Sequence, residues 1–139
     1  MAILNIESPK TLTEIIQDKS TPPSPIIDNG VLLDGTILLI VGPAKSKKTF
    51  LTQNLALAIA SGDDFAGFTI PKPKKVFYFL AEGGYYPNRE RIKKMNIGKD
   101  LKYSDNFMLG FFSYLPINND EAFETMYKLI EEAKPEVLI

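Results

Sequence analysis

The alternation of apolar runs with helical patterns constrains the fold of this chain most strongly. Residues 36–41 (TILLIV) and 76–81 (VFYFLA) are almost wholly apolar, which is typical of parallel strands covered on both faces. Residues 106–112 (NFMLGFF) predict a third strand, and residues 137–139 (VLI) would begin a fourth. Because helical patterns of crossover length separate these runs, the sequence predicts an α/β fold with a mostly parallel sheet flanked by helices. The predicted helices lie at 47–62, 87–95 and 118–135.

Two finer expectations concern the ends and faces of helices. Thr11 and Glu14 have the spacing of a capping box, which predicts a short helix before a Pro- and Ser-rich stretch. The last predicted helix carries an apolar stripe at helical spacing, and we expect this stripe to face the core. The stripe consists of Phe123, Met126, Tyr127 and Ile130.

Composition excludes several classes of site. The chain has no cysteine and no histidine, so disulfides, zinc–cysteine centres and histidine catalysis are impossible within its 139 residues. The formal net charge is -1, which gives no global basic field of the kind that attracts nucleic acid. No apolar run approaches the ~20 residues that span a bilayer, and the first residues do not form a signal peptide pattern. We therefore expect a cytoplasmic protein.

Residues 42–50 (GPAKSKKTF) come close to the phosphate-binding pattern G-x-x-x-x-G-K-[ST]. A predicted buried strand precedes this stretch and a predicted helix follows it, which is the context that such a loop requires. Lys48 can reach the β- and γ-phosphates, and the Thr49 hydroxyl suits Mg²⁺. The alternative is a lysine-rich turn without a ligand. The predicted nucleotide-binding residues are Gly42, Pro43, Ala44, Lys45, Ser46, Lys47, Lys48, Thr49 and Phe50.

Lys47 stands where the pattern has glycine. A side chain there lies in the way of phosphates, and lysine costs roughly 1–2 kcal/mol more than glycine if the backbone is left-handed. The Lys47 ammonium would be a second positive charge beside the phosphates, and its attraction would strengthen their binding. We therefore expect nucleotide binding to be weakened but retained, with ATP affected less than ADP.

A second candidate, Glu82, follows the strand at 76–81 and precedes two glycines. Ligands of open α/β sheets bind at the carboxyl edge of the strands, so Glu82 should face the same crevice as Lys48 and Thr49. A carboxylate there could orient and deprotonate the water that attacks a γ-phosphate. Glu82 and Lys48 are thus the predicted catalytic residues. The alternative is a loop glutamate that only caps a helix or faces solvent.

These motifs together resemble a known family. The sequence is similar to the RecA-like ATPase core, and specifically to the RepA-type group of AAA-family ATPases of plasmids, phages and mobile elements. The likeness covers residues 25–139, with Lys47 as the departure in the phosphate loop. It is carried by the segments FLTQNLALAIASG (50–62), FAGFTIPKPKKV (65–76), YFLAEGG (78–84) and KPEVLI (134–139).

The resemblance implies an ATPase that uses ATP and Mg²⁺, with Glu82 as the catalytic base and Thr49 at the metal. It implies DNA as a partner, no membrane, and a homo-oligomer such as a hexameric ring. Residues 1–24 would form an N-terminal helix and linker. Residues 25–139 would be the N-terminal part of an incomplete ATPase domain, ending as the Walker B strand begins, and such a piece alone would be inactive.

Two other functions remain open from the sequence. The chain could be a degenerate nucleotide-sensing module without hydrolysis, in which Lys47 blunts turnover. It could also be a small-molecule P-loop kinase, for which RERIKK (89–94) is the candidate arginine-bearing lid. The same basic stretch and KPKK (72–75) could contact DNA phosphates or a neighbouring subunit, or simply face solvent. Tyr85 and Tyr86 could stack on a base or pack locally.

Overall fold

The computed structural model describes residues 8–97, 104–112 and 118–139. Helices separate the strands of the larger sheet along the chain, and a single turn of 3₁₀ helix at Ser104–Asn106 precedes the strand at Phe107–Phe111. Their bounds are α1 Leu12–Gln17, β1 Pro25–Ile27, β2 Leu32–Leu33, α2 Lys48–Ser61, β3 Val76–Leu80, α3 Tyr85–Met95, β4 Phe107–Phe111, α4 Asp120–Ala133 and β5 Val137–Leu138.

The larger sheet has three strands in the order β4–β3–β5, and both pairings are parallel. Val76 of β3 lies opposite Phe107 of β4 on one side and Val137 of β5 on the other. Helix α3 connects β3 to β4, and helix α4 connects β4 to β5. The predicted α/β fold with a parallel sheet is therefore confirmed, and β1 with β2 adds a small antiparallel ribbon.

Helix α2 supplies the helical side of the core. It ends as the sequence predicts, because Gly62 adopts the left-handed conformation (φ 74°) that glycine reaches without strain, and its N–H bonds to the carbonyl of Ala58. Ile59 of α2 and Val76 of β3 are both fully buried in one hydrophobic cluster. This packing fixes the helix, and hence the loop that precedes it, against the central strand.

Strand β5 is held to β3 by backbone bonds and by one ion pair. The Nζ of Lys74 lies 2.9 Å from a carboxylate oxygen of Glu136, whose other oxygen accepts from the N–H of Lys75 at 3.0 Å. The hydrogen bond from Lys74, followed by that from Lys75, holds the pKa of Glu136 below its ordinary value of 4.5. The same hydrogen bond with Glu136 raises the pKa of Lys74, so both groups are charged at neutral pH.

The predicted strand at 36–41 is wrong for the described structure, where these residues belong to no strand. Ile37 and Val41 are 94% and 81% exposed. A strand needs a neighbour for its backbone N–H and C=O groups. Here residues 36–38 and 40 line a mainly apolar cavity of ≈ 560 Å³ together with β5, and among the described residues they pair with no strand.

The expected burial of the α4 stripe is also wrong. Helix α4 forms with Asn119 as its N-cap, but none of its residues is buried, and Phe123 and Tyr127 are 51% and 54% exposed. An apolar stripe is buried only where another element covers it. The described residues supply no such cover for α4.

The N-terminal expectations are confirmed in part. Thr11 and Glu14 form the predicted capping box at the start of α1, with both reciprocal bonds present. The division into residues 1–24 and 25–139 stays a prediction, and residues 1–7 lie outside the described part. No helix among the described residues has the length and apolar character needed to cross a membrane.

Candidate functional site

The loop that leads into α2 folds back on its own lysine. The Nζ of Lys48 donates to the carbonyl oxygens of Gly42 at 2.9 Å and Pro43 at 2.8 Å. This arrangement closes residues 42–48 into a compact ring around one ammonium. The backbone N–H groups at the start of α2 have no carbonyl partners within the helix, so they carry the positive end of its dipole.

Two lysines of this loop have left-handed backbones. Lys45 has φ 61°, and Lys47, which is the N-cap of α2, has φ 63° and ψ 23°. The position where the sequence departs from glycine is therefore one where glycine would be unstrained. The Lys47 side chain makes no capping hydrogen bond, so nothing in α2 compensates for the strain.

Glu82 lies two residues beyond β3, in a turn built on two glycines. Gly83 and Gly84 have φ 81° and 66°, which explains why the chain uses glycine twice here. Glu82 is exposed, and α3 begins at Tyr85 without a side-chain cap. The alternative in which Glu82 caps the following helix is thus not what the structure contains.

One cavity of ≈ 870 Å³ brings the two predicted motifs together. Residues 44–50 line one side, and Glu82, Gly83 and Pro87 line the other. Gly42 and Pro43 are not among the lining residues, and their carbonyls accept hydrogen bonds from Lys48. Cavities of roughly 300–1,000 Å³ are typical of small-ligand sites, so this one is large enough for a nucleotide.

The charges around the cavity suit an anion. Lys45, Lys47, Lys48 and Arg91 supply four cationic side chains, whereas Glu82 is the single acidic residue among those that the structure describes as lining it. The start of α2 adds the partial positive charge of a helix N-terminus. By contrast, none of the described residues that line the apolar cavity beside β5 is a lysine or an arginine.

Comparison with known families decides the broader identity. The family described as AAA domain matches residues 5–139, nearly the whole chain. The chain belongs to the AAA domain family. A comparison with curated proteins gave no match.

Membership of the AAA domain family makes this an AAA-type P-loop ATPase module that binds nucleotide. The helices and the parallel three-stranded sheet agree with a RecA-like P-loop core. The narrower RepA-type assignment, the DNA partner and the oligomer do not follow from the family and are considered below.

The AAA domain also contains site residues that the sequence reasoning did not select. Asn88 and Arg91 line the cavity, whereas the sequence predicts only a candidate DNA surface, kinase lid or solvent-facing element for the basic helix α3. Gln53, behind them on α2, is fully buried. Its position four residues after Thr49 places both on one helix face, a spacing that could have drawn attention to it.

Magnesium, which the family uses in general, fits this site only together with a nucleotide. Among the described residues there is no group of three or more acidic residues that could hold a metal alone. Mg²⁺ is commonly held by one or two protein oxygens, substrate phosphates and waters. The Thr49 hydroxyl and the Glu82 carboxylate, which line the same cavity, are compatible with that arrangement.

The tyrosines after Glu82 form an exposed cluster on α3. Tyr85 and Tyr86 are 51% and 69% exposed, and their ring centroids are 5.3 Å apart. Tyr85 also contacts the ring of Phe111 edge-on, and the Arg89 guanidinium lies 5.2 Å from the centre of Tyr86. Local packing thus accounts for Tyr85, while Tyr86 presents most of its surface to solvent.

Proposed function

We propose that this AAA domain binds ATP and ADP with Mg²⁺ in the ≈ 870 Å³ cavity, and that ATP is hydrolysed there in the full-length protein. One observation carries the proposal: Lys48 and Thr49, which are close together in sequence, share a cavity with Glu82 from a different element. Family membership supports nucleotide as the ligand class.

Lys48 would be the principal phosphate ligand. Its ammonium now bonds to two carbonyl oxygens of the loop, so a phosphate must offer stronger acceptors to replace them. Anionic phosphate oxygens do so, because charge-assisted hydrogen bonds are about twice as strong as those to neutral oxygens. Backbone N–H groups at the start of α2 would bind the same phosphates.

Thr49 and Glu82 would divide the remaining chemistry. The Thr49 hydroxyl would be the protein ligand of Mg²⁺, whose role is to neutralise charge on the β- and γ-phosphates. Glu82 would accept the proton of the attacking water from the opposite side of the cavity. Its place after the carboxyl end of β3 is where active-site residues of open α/β sheets occur.

Nucleotide binding can be measured directly by titrating the 139-residue chain with fluorescent ADP and ATP analogues in Mg²⁺ buffer. We expect saturable binding that Lys48→Ala abolishes. Lys94→Ala is the matched control, since Lys94 is an exposed lysine of α3 that does not line the cavity. Equal binding by wild type, Lys48→Ala and Lys94→Ala would mean that the ligand does not use this loop.

The finer proposal is that the full-length protein is a RepA-type ATPase that couples hydrolysis to DNA replication or unwinding, as a homo-oligomer. The resemblance of its segments to that group supports this, together with the exposed Lys93 and Lys94 of α3. The test is ATP turnover by the full-length protein with and without single-stranded DNA. Turnover that does not respond to DNA would contradict the proposal.

A nucleotide sensor without hydrolysis is the second candidate function. The left-handed Lys47 favours it, because that residue places a side chain where phosphate loops use glycine. The sensor predicts tight ADP and ATP binding without turnover by the full-length protein. Restoration of turnover by Lys47→Gly would identify Lys47 as the cause.

A further inference from the structure

The turn that carries Glu82 has little stiffness of its own. It contains Gly83 and Gly84, both with positive φ, and glycine has the largest conformational freedom of any residue. Glu82 itself is exposed. A catalytic carboxylate must nevertheless be held close to its productive position, because a displacement of about 1 Å can cost roughly 10²-fold in rate.

Asn88 bonds to this turn from the first turns of α3. Its Nδ2 donates to the carbonyl oxygens of Glu82 at 3.2 Å and Gly84 at 2.7 Å. The same nitrogen lies 3.1 Å from the point where a Cβ on Gly83 would sit, so the turn approaches it closely. Asn88 is only 2% exposed, and its donors are therefore shielded from competition with water.

The other end of Asn88 is tied to the helix that follows the phosphate loop. Its Oδ1 accepts from Nε2 of Gln53 at 3.1 Å, and Gln53 is fully buried on α2. Arg91 Nη1 reaches Asn88 Oδ1 at 3.3 Å and Gln53 Oε1 at 3.5 Å, which are long contacts. No buried side-chain polar atom among the described residues is left without a partner.

We infer that Asn88 is a positioning residue that, through Gln53, fixes the Glu82 turn relative to the loop bearing Lys48 and Thr49. The inference rests on the proposed nucleotide site for its catalytic consequence, but not for its structural part. Because α2 begins at the phosphate loop, one chain of hydrogen bonds links both sides of the cavity. The two amides, and not the turn itself, then determine where Glu82 stands.

Asn88→Asp removes the hydrogen bonds from Asn88 to the Glu82 turn with almost no change in side-chain shape. The carboxylate can still accept from Gln53 and Arg91, but it has no N–H for the carbonyls of Glu82 and Gly84. Asn96→Asp is the matched control, since Asn96, the C-cap of the same helix, donates its Nδ2 to the carbonyl of Ile92 at 2.8 Å, away from the cavity lining.

The first readout is the backbone order parameter of Gly83 and Gly84 from ¹⁵N relaxation of the free chain. We expect it to fall in Asn88→Asp and to stay at the wild-type value in Asn96→Asp. Unchanged values in Asn88→Asp would overturn the inference whether or not the chain binds nucleotide. If Asn88→Asp does not fold, Gln53→Met, which cuts only the tie to α2, must loosen the same glycines instead.

The second readout separates positioning from stability in the full-length protein. Turnover by Gln53→Met, which puts no charge on the cavity lining, should fall about 10–100-fold while its ADP affinity stays unchanged, because the phosphate loop is intact. A variant that turns over ATP at the wild-type rate although its Gly83 and Gly84 order parameters have fallen would overturn the catalytic part of the inference. If wild type neither binds nor hydrolyses nucleotide, the proposed function fails, and the order parameters still decide whether Asn88 holds the turn.

Discussion

Replacing Lys47 by glycine tests the conformation of the phosphate loop without touching the core. Lys47 has φ 63° at the N-cap of α2 and makes no capping bond. A left-handed backbone costs an L-residue about 1–2 kcal/mol. Glycine removes that cost but adds about 0.4–1 kcal/mol of unfolded-state entropy that folding must overcome. The midpoints of these two ranges leave a gain for Lys47→Gly of about 0.8 kcal/mol.

Urea and thermal unfolding of the 139-residue chain measure this gain. A change of that size should raise the Tm by about 2–4 °C. Ser46→Gly is the control in the same loop, because Ser46 is not among the residues with positive φ and gains no relief from strain. Ser46→Gly should therefore be no more stable than wild type. A Lys47→Gly protein as unstable as Ser46→Gly would refute the argument from backbone strain.

Nucleotide titration of the same variants tests the functional side. Removing the Lys47 side chain clears space beside the phosphates, so Lys47→Gly should bind ADP more tightly than wild type. It also removes one ammonium, and this loss should weigh more for ATP, which carries more charge, and more at low salt. The gain should thus be larger for ADP than for ATP. The hypothesis fails if Lys47→Gly binds ADP no better than wild type.

Two further predictions concern acidic residues. Glu82→Gln in the full-length protein should retain ATP binding and lose about 10²–10⁴-fold in turnover if Glu82 is the base, and unchanged turnover would remove it from the mechanism. The pKa of Glu136 is lowered mainly by its hydrogen bond from Lys74. Glu136 therefore stabilises the fold fully at any pH above its ordinary pKa of 4.5, and this stabilisation is lost as the pH falls through the lowered pKa. Glu136→Gln should therefore lower the Tm at neutral pH, with the difference from wild type shrinking in acid. A difference that stays constant across this titration would contradict the role of the ion pair.

The local elements could be predicted from the sequence because their causes are local. Gly62 ends α2 in the left-handed conformation, and Thr11 with Glu14 forms the capping box of α1. Each depends on residues within a few positions of one another, so spacing alone is informative. The parallel pairing of β3 with its neighbours also followed, since helices of crossover length separate the strands.

The predicted burial of apolar residues is wrong where it depends on another element packing against them. Residues 36–41 and the α4 stripe are apolar in the sequence, yet Ile37 and Phe123 are largely exposed. Hydrophobic periodicity states which face would be buried if a partner were present. It does not state whether that partner is close enough, and here residues 36–38 and 40 line a cavity together with β5.

The candidate site divides in the same way. The sequence by itself predicts residues 42–50 and Glu82 as site residues, because each follows from a short motif with a physical requirement on its residues. Only the tertiary structure placed Asn88 and Gln53, which are 35 positions apart, within one hydrogen bond of each other. An amide side chain has no sequence signature for a partner that far away. The packing of α2 and α3 decides which carbonyls and amides meet beside the cavity.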